Sequence, residues 1–481
     1  MTFSPGKATT RNVFWAYLSF ASTKALNLVA IILVARYVDP AEFGLMAICL
    51  AIMGYFEIIS QFGLGAALIS TPDREEETAN AVFICAMVMS STMAILLWAI
   101  AGPIAELYGA PALQDLLTAI AAALVIRALT TVQSSLLFRE LRLRDKIVPD
   151  VVRGLTKGLV SIALAIMGYG VWALALGYLA SAVAGSIALA IVRPWRPTGL
   201  PSLAMIRHVM RFGAHLIGAE TINSTPRLLD NLLVGKFLGP AALGIYALAF
   251  RIPELGIKSF TTVAGSVLHP VMSKIQADPA GLRIYFYQSL RYCALIMFGI
   301  GAAIAVLSGP LVHVLYSPKW YDMVVPMQII AVAFAISTLN MVPGKLLKAV
   351  SRTDLLFRVS LFNLPLFVGV IALAVPHGIA AVAAAQLVLA FVRFVPTFYA
   401  LKRVMDINVM DTLQALGPAL LCTGTATVAA LVSLQLVEGA ELTRLLAGAA
   451  TFSFFYLTML RFTVPEVFEA GSRVVLRRRR T

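Results

Sequence analysis

Hydrophobic residues in this chain come in runs of about 18 to 25, each long enough to cross roughly 30 Å of hydrocarbon as a helix. The runs recur from near residue 12 to near residue 462, and short polar connectors separate them. No run shows the ten-residue alternation of a membrane β-barrel strand. The pattern predicts about fourteen transmembrane helices, at approximately 12–35, 42–70, 80–101, 116–138, 150–168, 171–192, 209–235, 242–270, 288–308, 323–344, 356–375, 378–400, 411–434 and 442–462. The expected class is an all-α polytopic membrane protein.

The runs also repeat. Between spans one and two lies Ala35-Arg36-Tyr37-Val38-Asp39-Pro40-Ala41-Glu42-Phe43-Gly44, echoed 200 residues later, between spans seven and eight, by Gly235-Lys236-Phe237-Leu238-Gly239-Pro240-Ala241-Ala242-Leu243-Gly244. Each reads as a tight turn with proline in the first helical turn, where its missing N–H is not needed. Gly44 and Gly244 are expected to let the two helices of each hairpin approach closely. Gly102-Pro103-Ile104 with Leu107-Tyr108 returns as Gly309-Pro310-Leu311 with Leu315-Tyr316, and Ile162-Ala163-Leu164-Ala165 with Gly170 returns as Ile371-Ala372-Leu373-Ala374 with Gly378. A displacement of six spans is even, so equivalent helices cross in the same direction as two parallel-repeat six-helix bundles. The expected organisation is an N-terminal bundle over 1–192, a basic cytoplasmic linker over 193–208 and a second bundle over 209–400. Residues 401–481 add helices 13 and 14 and a basic cytoplasmic tail.

Composition narrows the class. With 60% hydrophobic and 13% charged residues and a mean hydropathy of +0.87, the chain is too apolar for a water-soluble domain. A net charge of +14 would suggest nucleic acid in a soluble protein, but its placement excludes that partner. Arg139, Arg142, Arg193, Arg207, Lys345 and the Arg477 to Arg480 run share one side with the N-terminus, whereas the other side keeps only Arg36, Lys236, Lys319 and Arg444. The positive-inside rule then puts both termini in the cytoplasm. The first apolar run lacks a small-residue cleavage signal and is expected to stay attached as a span.

Cys49, Cys85, Cys293 and Cys422 fall inside apolar runs and read as small buried hydrophobes, implying no disulfide. The five histidines show no metal-ligand spacing and no glycine-rich phosphate loop occurs, so no metal, cofactor or built-in ATPase is expected. Energy for transport would come from ions, membrane potential or substrate supply. Apart from the basic connectors, loops of about a dozen residues or fewer leave no room for a catalytic domain, so the chain is not expected to be an enzyme. In Thr71-Pro72-Asp73-Arg74-Glu75-Glu76-Glu77, Thr71 is expected to cap span three, with Pro72 in its first turn and the carboxylates complementing the helix dipole. The other reading of that acidic cluster is a docking point for a partner enzyme. The arginine tail likewise reads as an anchor on anionic lipid or as a recruiting element.

Polar residues within the spans follow helical spacing. Span seven carries Glu220, Asn223, Ser224, Arg227, Asp230 and Asn231, and span eight carries Arg251, Glu254, Lys258, Thr261, Thr262 and Gly265. Span one offers Ser19, Thr23, Lys24 and Asn27, and span two offers Glu57, Gln61 and Gly65. A charge inside a span is costly and calls for a wet cavity or a partner. We read the stripes as a cavity lining, with Lys24, Arg227, Arg251 and Lys258 as candidate substrate-binding cations. Glu57, Glu220, Asp230 and Glu254 are the candidate coupling or cavity carboxylates. The competing reading makes Arg227 with Asp230, and Arg251 with Glu254, i,i+3 pairs that hold helices together. Pro226 and Pro253 should break the helical ladder near mid-membrane, where transporters place substrate. Arg127 and Arg393 stand isolated in sequence.

The chain resembles the oligosaccharide flippases of bacterial polysaccharide synthesis, within the multidrug/oligosaccharidyl-lipid/polysaccharide exporter superfamily. The residues that carry the resemblance are Ala35-Arg36 with Pro40 and Phe43-Gly44-Leu45, then Phe62-Gly63-Leu64-Gly65-Ala66-Ala67-Leu68-Ile69, and in the second half Leu229-Asp230-Asn231, Gly235, Gly239-Pro240, Leu243-Gly244 and Tyr246. It covers nearly the whole chain. It implies two bundles that open alternately to either side, with spans one, two, seven and eight lining a central cationic cavity. The implied substrate is a polyprenyl-pyrophosphate-linked oligosaccharide, moved to the outer leaflet of the bacterial inner (plasma) membrane for exopolysaccharide, O-antigen or capsule synthesis. Pyrophosphate calls for positive charge and hydrogen-bond donors. The implied setting is a monomer among membrane lipids, working with a polysaccharide polymerase and glycosyltransferases. The alternatives are a peptidoglycan lipid-precursor flippase or a cation-coupled multidrug exporter of the same fold, and, from another class, a membrane-embedded glycosyltransferase or polymerase.

The topology is open to direct test. Reporter fusions after Ala110 and after Thr481 are expected to give opposite signals, external and cytoplasmic respectively. Matching signals would overturn the fourteen-span topology.

Overall fold

A computed structural model describes residues 26–466 apart from 62, 72, 73, 141 and 143, and apart from the side chains at 215, 216, 218–220, 222, 223, 227, 258, 262 and 263. The described residues form helices and turns and no strand. Ten helices among them are long and apolar enough to cross a membrane, and a bent pair makes an eleventh. One of the ten, Ser224–Lys274, runs through the second copy of the duplicated turn and so holds parts of two predicted spans. Adding the charged helix Ile147–Ile166, and the first span, which lies mostly outside the described residues, makes the structure consistent with fourteen.

The chain gathers into two compact units, Met1–Gly244 and Ile245–Thr481. The first holds α1 (residues 26–34), α2 (Pro40–Gln61), α3 (Leu64–Ser70), α4 (Glu75–Tyr108), α5 (Ala112–Ala128), α6 (Thr131–Arg139), α7 (Ile147–Ile166), α8 (Val171–Val192) and most of α9 (Leu203–Ala249). Its centre is α5, which packs on α2, α4 and α8 and turns Leu113, Leu116, Leu117 and Ile120 inward at helical spacing, all fully buried. The second unit holds α10 (Arg251–Lys274), α11 (Pro279–Leu315), α12 (Val324–Ser337), α13 (Met341–Ala349), α14 (Thr353–Ala374), α15 (Ile379–Val392), α16 (Phe394–Lys402), α17 (Val409–Leu436) and α18 (Glu441–Thr463). Asp278 caps α11 by accepting the N–H groups of Ala280 at 3.1 Å and Gly281 at 3.0 Å, with Pro279 in the first turn. The α17–α18 hairpin lies on α11, where the Tyr456 hydroxyl donates to the Leu295 carbonyl. Large apolar side chains such as Trp98, Ile191, Leu373 and Phe462 point outward, as a lipid-facing surface requires.

The duplicated turn explains its own sequence. Asp39 precedes Pro40, and Glu42 reaches back to accept the Asp39 N–H at 3.0 Å, the return bond of a capping box. The second oxygen of Glu42 accepts the Val171 N–H at 3.2 Å and so ties the start of α2 to the start of α8. Gly170 stands at φ 55, and a side chain there would run into that carboxylate. In the second copy Gly239 makes the turn at φ 86.

The close approach that Gly44 and Gly244 permit runs between the two hairpins, not within each as the sequence suggested. A Cβ on Gly44 would collide with the Pro240 carbonyl, and one on Gly244 would collide with the Pro40 carbonyl and lie 3.0 Å from the Gly44 nitrogen. Each copy thus presses its glycine against the proline of the other, which is why both copies keep both residues.

The acidic cluster differs from the expectation in one respect. Thr71 does not cap α4; its N–H closes α3 on the Ala67 carbonyl, and α4 opens later, at Glu75, after Arg74. Pro72 lies outside the described residues. The carboxylates do occupy the first turn of α4, where Glu75 pairs with Arg139 at 3.2 Å and Glu77 accepts the Ser202 hydroxyl at 2.5 Å.

Replacing Gly44 or Gly244 with alanine forces a methyl group into a backbone carbonyl, a strain of about 1–3 kcal/mol or more. Each change is expected to lower the amount of folded protein in the membrane and its melting temperature in detergent. Because both open the same crossing, the double variant should lose less than the sum of the two. Strict additivity, or unchanged melting, would contradict the reciprocal contact.

Candidate functional site

Four of the eight residues singled out in sequence have described side chains. Asp230 is buried, and its Oδ1 accepts the N–H of Asn231 at 2.7 Å. Arg251 and Glu254 are half-buried in the first turn of α10, and the guanidinium is near enough to Tyr316 to act on it electrostatically. Glu57 lies on α2 and is discussed below. Lys24 falls outside the described residues, as do the side chains of Glu220, Arg227 and Lys258. The two prolines behave differently. At Pro253 the helical run is interrupted, at Phe250, whereas α9 continues through Pro226. Beside Pro226 the Tyr55 hydroxyl of α2 donates to the Thr225 carbonyl at 3.5 Å.

The first unit contains an ion cluster that sequence spacing did not assemble. Arg127 has no carboxylate within a turn of its own helix, yet its Nη1 lies 2.5 Å from Oε1 of Glu57, 70 residues earlier in the chain. The same oxygen accepts Nε2 of Gln61 at 3.0 Å. The Arg127 guanidinium carbon stands 4.9 Å from the ring centre of Tyr178 on α8, and Lys157 Nζ on α7 stands 6.0 Å from that ring. Arg153, one turn before Lys157, holds Asp150 at 3.8 Å and is close enough to Arg127 for the two cations to repel. Gly185 makes room for it, because a Cβ there would lie 2.7 Å from Arg153 Nε. Arg127 and Lys157 thus face one tyrosine, with Arg153 one turn before Lys157 and Glu57 paired to Arg127.

Local structure puts Arg127 there. The fourth span, read in sequence as one helix, bends by 45° between α5 and α6. Neither proline nor glycine stands at Leu129-Thr130. Instead the Ser186 hydroxyl of α8 donates to the Ile126 carbonyl at 3.2 Å, and the Thr130 and Thr131 hydroxyls both turn back to the Arg127 carbonyl at 3.4 Å. Hydroxyls inserted in the ladder bend a helix and satisfy the carbonyls that the bend frees. Arg127 therefore stands at a helix end part-way along the fourth span, where a cation meets the negative end of the dipole. The tenth span of the chain, the fourth of the second sequence repeat, breaks at the matching place through a 3₁₀ turn over Thr338–Asn340. The signal for Arg153 and Lys157 was present in sequence. With Asp150 they form a stripe at i, i+3 and i+7, and these charges distinguish α7 from the ten apolar spans.

The comparisons with known proteins agree with this architecture. The profile of a family described as polysaccharide biosynthesis protein matches residues 33–325. The chain is 27% identical over 318 residues to the succinoglycan biosynthesis transport protein ExoT of Rhizobium meliloti, covering 65% of this chain and 64% of that protein. It therefore spans slightly under two thirds of that relative's length. It is 25% identical over 367 residues to the lipopolysaccharide biosynthesis protein WzxC of Escherichia coli, covering 74% and 72% of the two chains. Among solved structures, the lipid II flippase MurJ in an inward closed conformation aligns with a TM-score of 0.75 at 15% identity, covering 94% of this chain and 100% of that one. An inward-facing multidrug resistance MATE family transporter of the MOP superfamily aligns with a TM-score of 0.61 at 16% identity, covering 81% and 98%. At these identities the two structures speak for the fold alone.

The Glu57 to Arg127 pair makes a stability prediction. Both side chains keep roughly a quarter of their exposure, 28% and 27%. Breaking the pair is therefore expected to cost about 1–3 kcal/mol, below the range for a fully buried pair. Glu57→Leu and Arg127→Met should each lower the melting temperature in detergent, and the double variant should recover most of the loss. Equal losses that simply add would show that the two charges are not coupled.

Proposed function

Because the chain belongs to the polysaccharide biosynthesis protein family, we propose that it flips polyprenyl-pyrophosphate-linked oligosaccharide repeat units from the inner to the outer leaflet of the bacterial plasma membrane. The observation that carries this reading is positive charge midway through apolar helices. Glu57 and Arg127 stand near the middles of the spans Pro40–Ser70 and 112–139, and Lys157 near the middle of α7, and among these three the cations outnumber the carboxylate. A cation at that depth is expensive against lipid and is stabilised by water or by an arriving anion. A pyrophosphate supplies the anion, and guanidinium forks match its oxygens two at a time. Two bundles working by alternating access carry the headgroup through while the polyprenyl tail stays in lipid. The chain acts as a transporter, not an enzyme, and delivers its product to a polysaccharide polymerase.

Arg251 lies about nine residues into the eighth span, which at 1.5 Å per residue sets its Cα roughly 13 Å deep. We assign it, with Lys24, Arg227 and Lys258, to phosphate binding, and Glu57, Glu220, Asp230 and Glu254 to the carboxylates that balance or couple the cycle.

In a strain deleted for this chain, metabolic labelling with azido sugars should show surface polysaccharide lost and restored by the wild-type chain. Arg251→Ala and Lys24→Ala are expected to abolish export at normal protein levels. Arg251→Lys should restore it only in part, because an ammonium cannot hold two phosphate oxygens in a planar fork. Full export by both alanine variants would overturn the assignment of these cations. Unchanged polysaccharide in the deletion strain, with defects in cell-wall precursor or drug export instead, would favour the peptidoglycan or multidrug reading.

A further inference from the structure

We propose that Arg127, Arg153 and Lys157, clustered near Tyr178, form a second oxyanion subsite inside the first unit, and that Glu57 is its resident anion, displaced when an acidic group of the substrate arrives. The proposal rests on the transport reading and adds to it three cations that lie off the polar stripes of spans one, two, seven and eight and meet the span-two stripe at Glu57.

Three observations support it. First, the cluster has donors to spare. Arg127 offers Nη1 to Glu57, but its Nε–H and that of Arg153 are both buried and meet no acceptor among the described residues. A buried N–H with no acceptor is costly even on a partly exposed guanidinium, and a multidentate oxyanion relieves the cost at both arginines.

Second, the fold does not need these charges. Taking Thr130 onto Thr338, Ile162 onto Ile371 and Pro40 onto Pro240 as the repeat register, Ala335 stands where Arg127 does, Phe362 and Leu366 replace Arg153 and Lys157, and Ile257 replaces Glu57. The second sequence repeat keeps the break in its fourth span without any of them. Ions that one copy of a repeat carries and the other omits serve something other than the packing both copies share.

Third, Glu57 holds its place through bonds that exchange readily. Its Oε1 is shared between Arg127 and Gln61, at 2.5 and 3.0 Å, and the carboxylate keeps partial exposure. A carboxylate seated on a guanidinium that still has donors to spare is a competitor for any incoming phosphate or carboxylate. Displaced, it turns to Gln61 on the next turn of the same helix. The shared ligand chemistry is an oxyanion with two or more oxygens. It arrives either as the pyrophosphate of the lipid carrier or as the carboxylate of an acidic sugar.

The test uses the purified full-length chain in detergent and calorimetric titration with two probes, farnesyl pyrophosphate and glucuronate. Glu57→Gln removes the competitor and is expected to tighten binding of the cognate probe about tenfold. Arg153→Met with Lys157→Met is expected to weaken it about tenfold or more. Arg153→Lys with Lys157→Arg, which keeps the charge and the fold, should fall between. The probe whose affinity follows this pattern identifies the source of the oxyanion. Weaker binding in Glu57→Gln would overturn the displacement. Wild-type affinity in the methionine pair would overturn the subsite, and if that pair still exports polysaccharide the flippase reading stands without it. A wild-type chain that binds neither probe would overturn the subsite and remove the pyrophosphate argument for flipping as well.

Discussion

Hydrocarbon cannot solvate a charge or an open backbone carbonyl, and this constraint organises the molecule. Every polar group set at membrane depth needs a partner within the protein or a wet surface. Large apolar residues such as Trp98 and Leu373 accordingly face outward, while Asp230 is buried and Glu57 and Arg127 pair within the first unit. The bend in the fourth span follows the same rule. Its freed carbonyls are taken by Ser186, Thr130 and Thr131 before any water is needed, and the bend leaves a cation at a helix end.

The duplicated turns answer a packing version of that constraint. Lipid offers no hydrophobic drive to bring helices together, so close backbone approach and good packing must do it. Gly44 against Pro240 and Gly244 against Pro40 supply such an approach twice over, and the arrangement is self-complementary, as expected of a duplicated segment meeting its copy. Glu42 adds a polar fixture beside it by serving two helix starts at once. The second copy has Ala242 at that position, so symmetry holds for the packing and lapses for the ions.

Much of this was legible in sequence because it is local or periodic. Apolar runs mark the spans, and repeated Pro and Gly mark the turns. What sequence withheld has physical reasons. Arg127 and Glu57 are separated by 70 residues and meet only through the packing of α5 on α2, so no helical spacing connects them. The fourth-span bend carries neither proline nor glycine and depends on a serine from another helix. The twin glycines looked like hairpin spacers because a single turn cannot reveal that its partner is the other turn. Thr71 looked like a cap because it stands before an acidic run, whereas the helix starts after Arg74. Arg153 and Lys157 were readable as a stripe on α7 but lay outside the helices that the duplicated turn brought forward.

We propose that a cationic passage through the membrane carries a pyrophosphate-linked sugar lipid. The most direct measurement is made in proteoliposomes containing only this chain and a fluorescent polyprenyl-pyrophosphate oligosaccharide, with a membrane-impermeant quencher reporting leaflet exchange. The account predicts that the labelled lipid becomes quenchable at a rate proportional to protein. It also predicts that the same oligosaccharide on an uncharged lipid carrier stays protected. Exchange of both lipids at equal rates, or of neither, would contradict it.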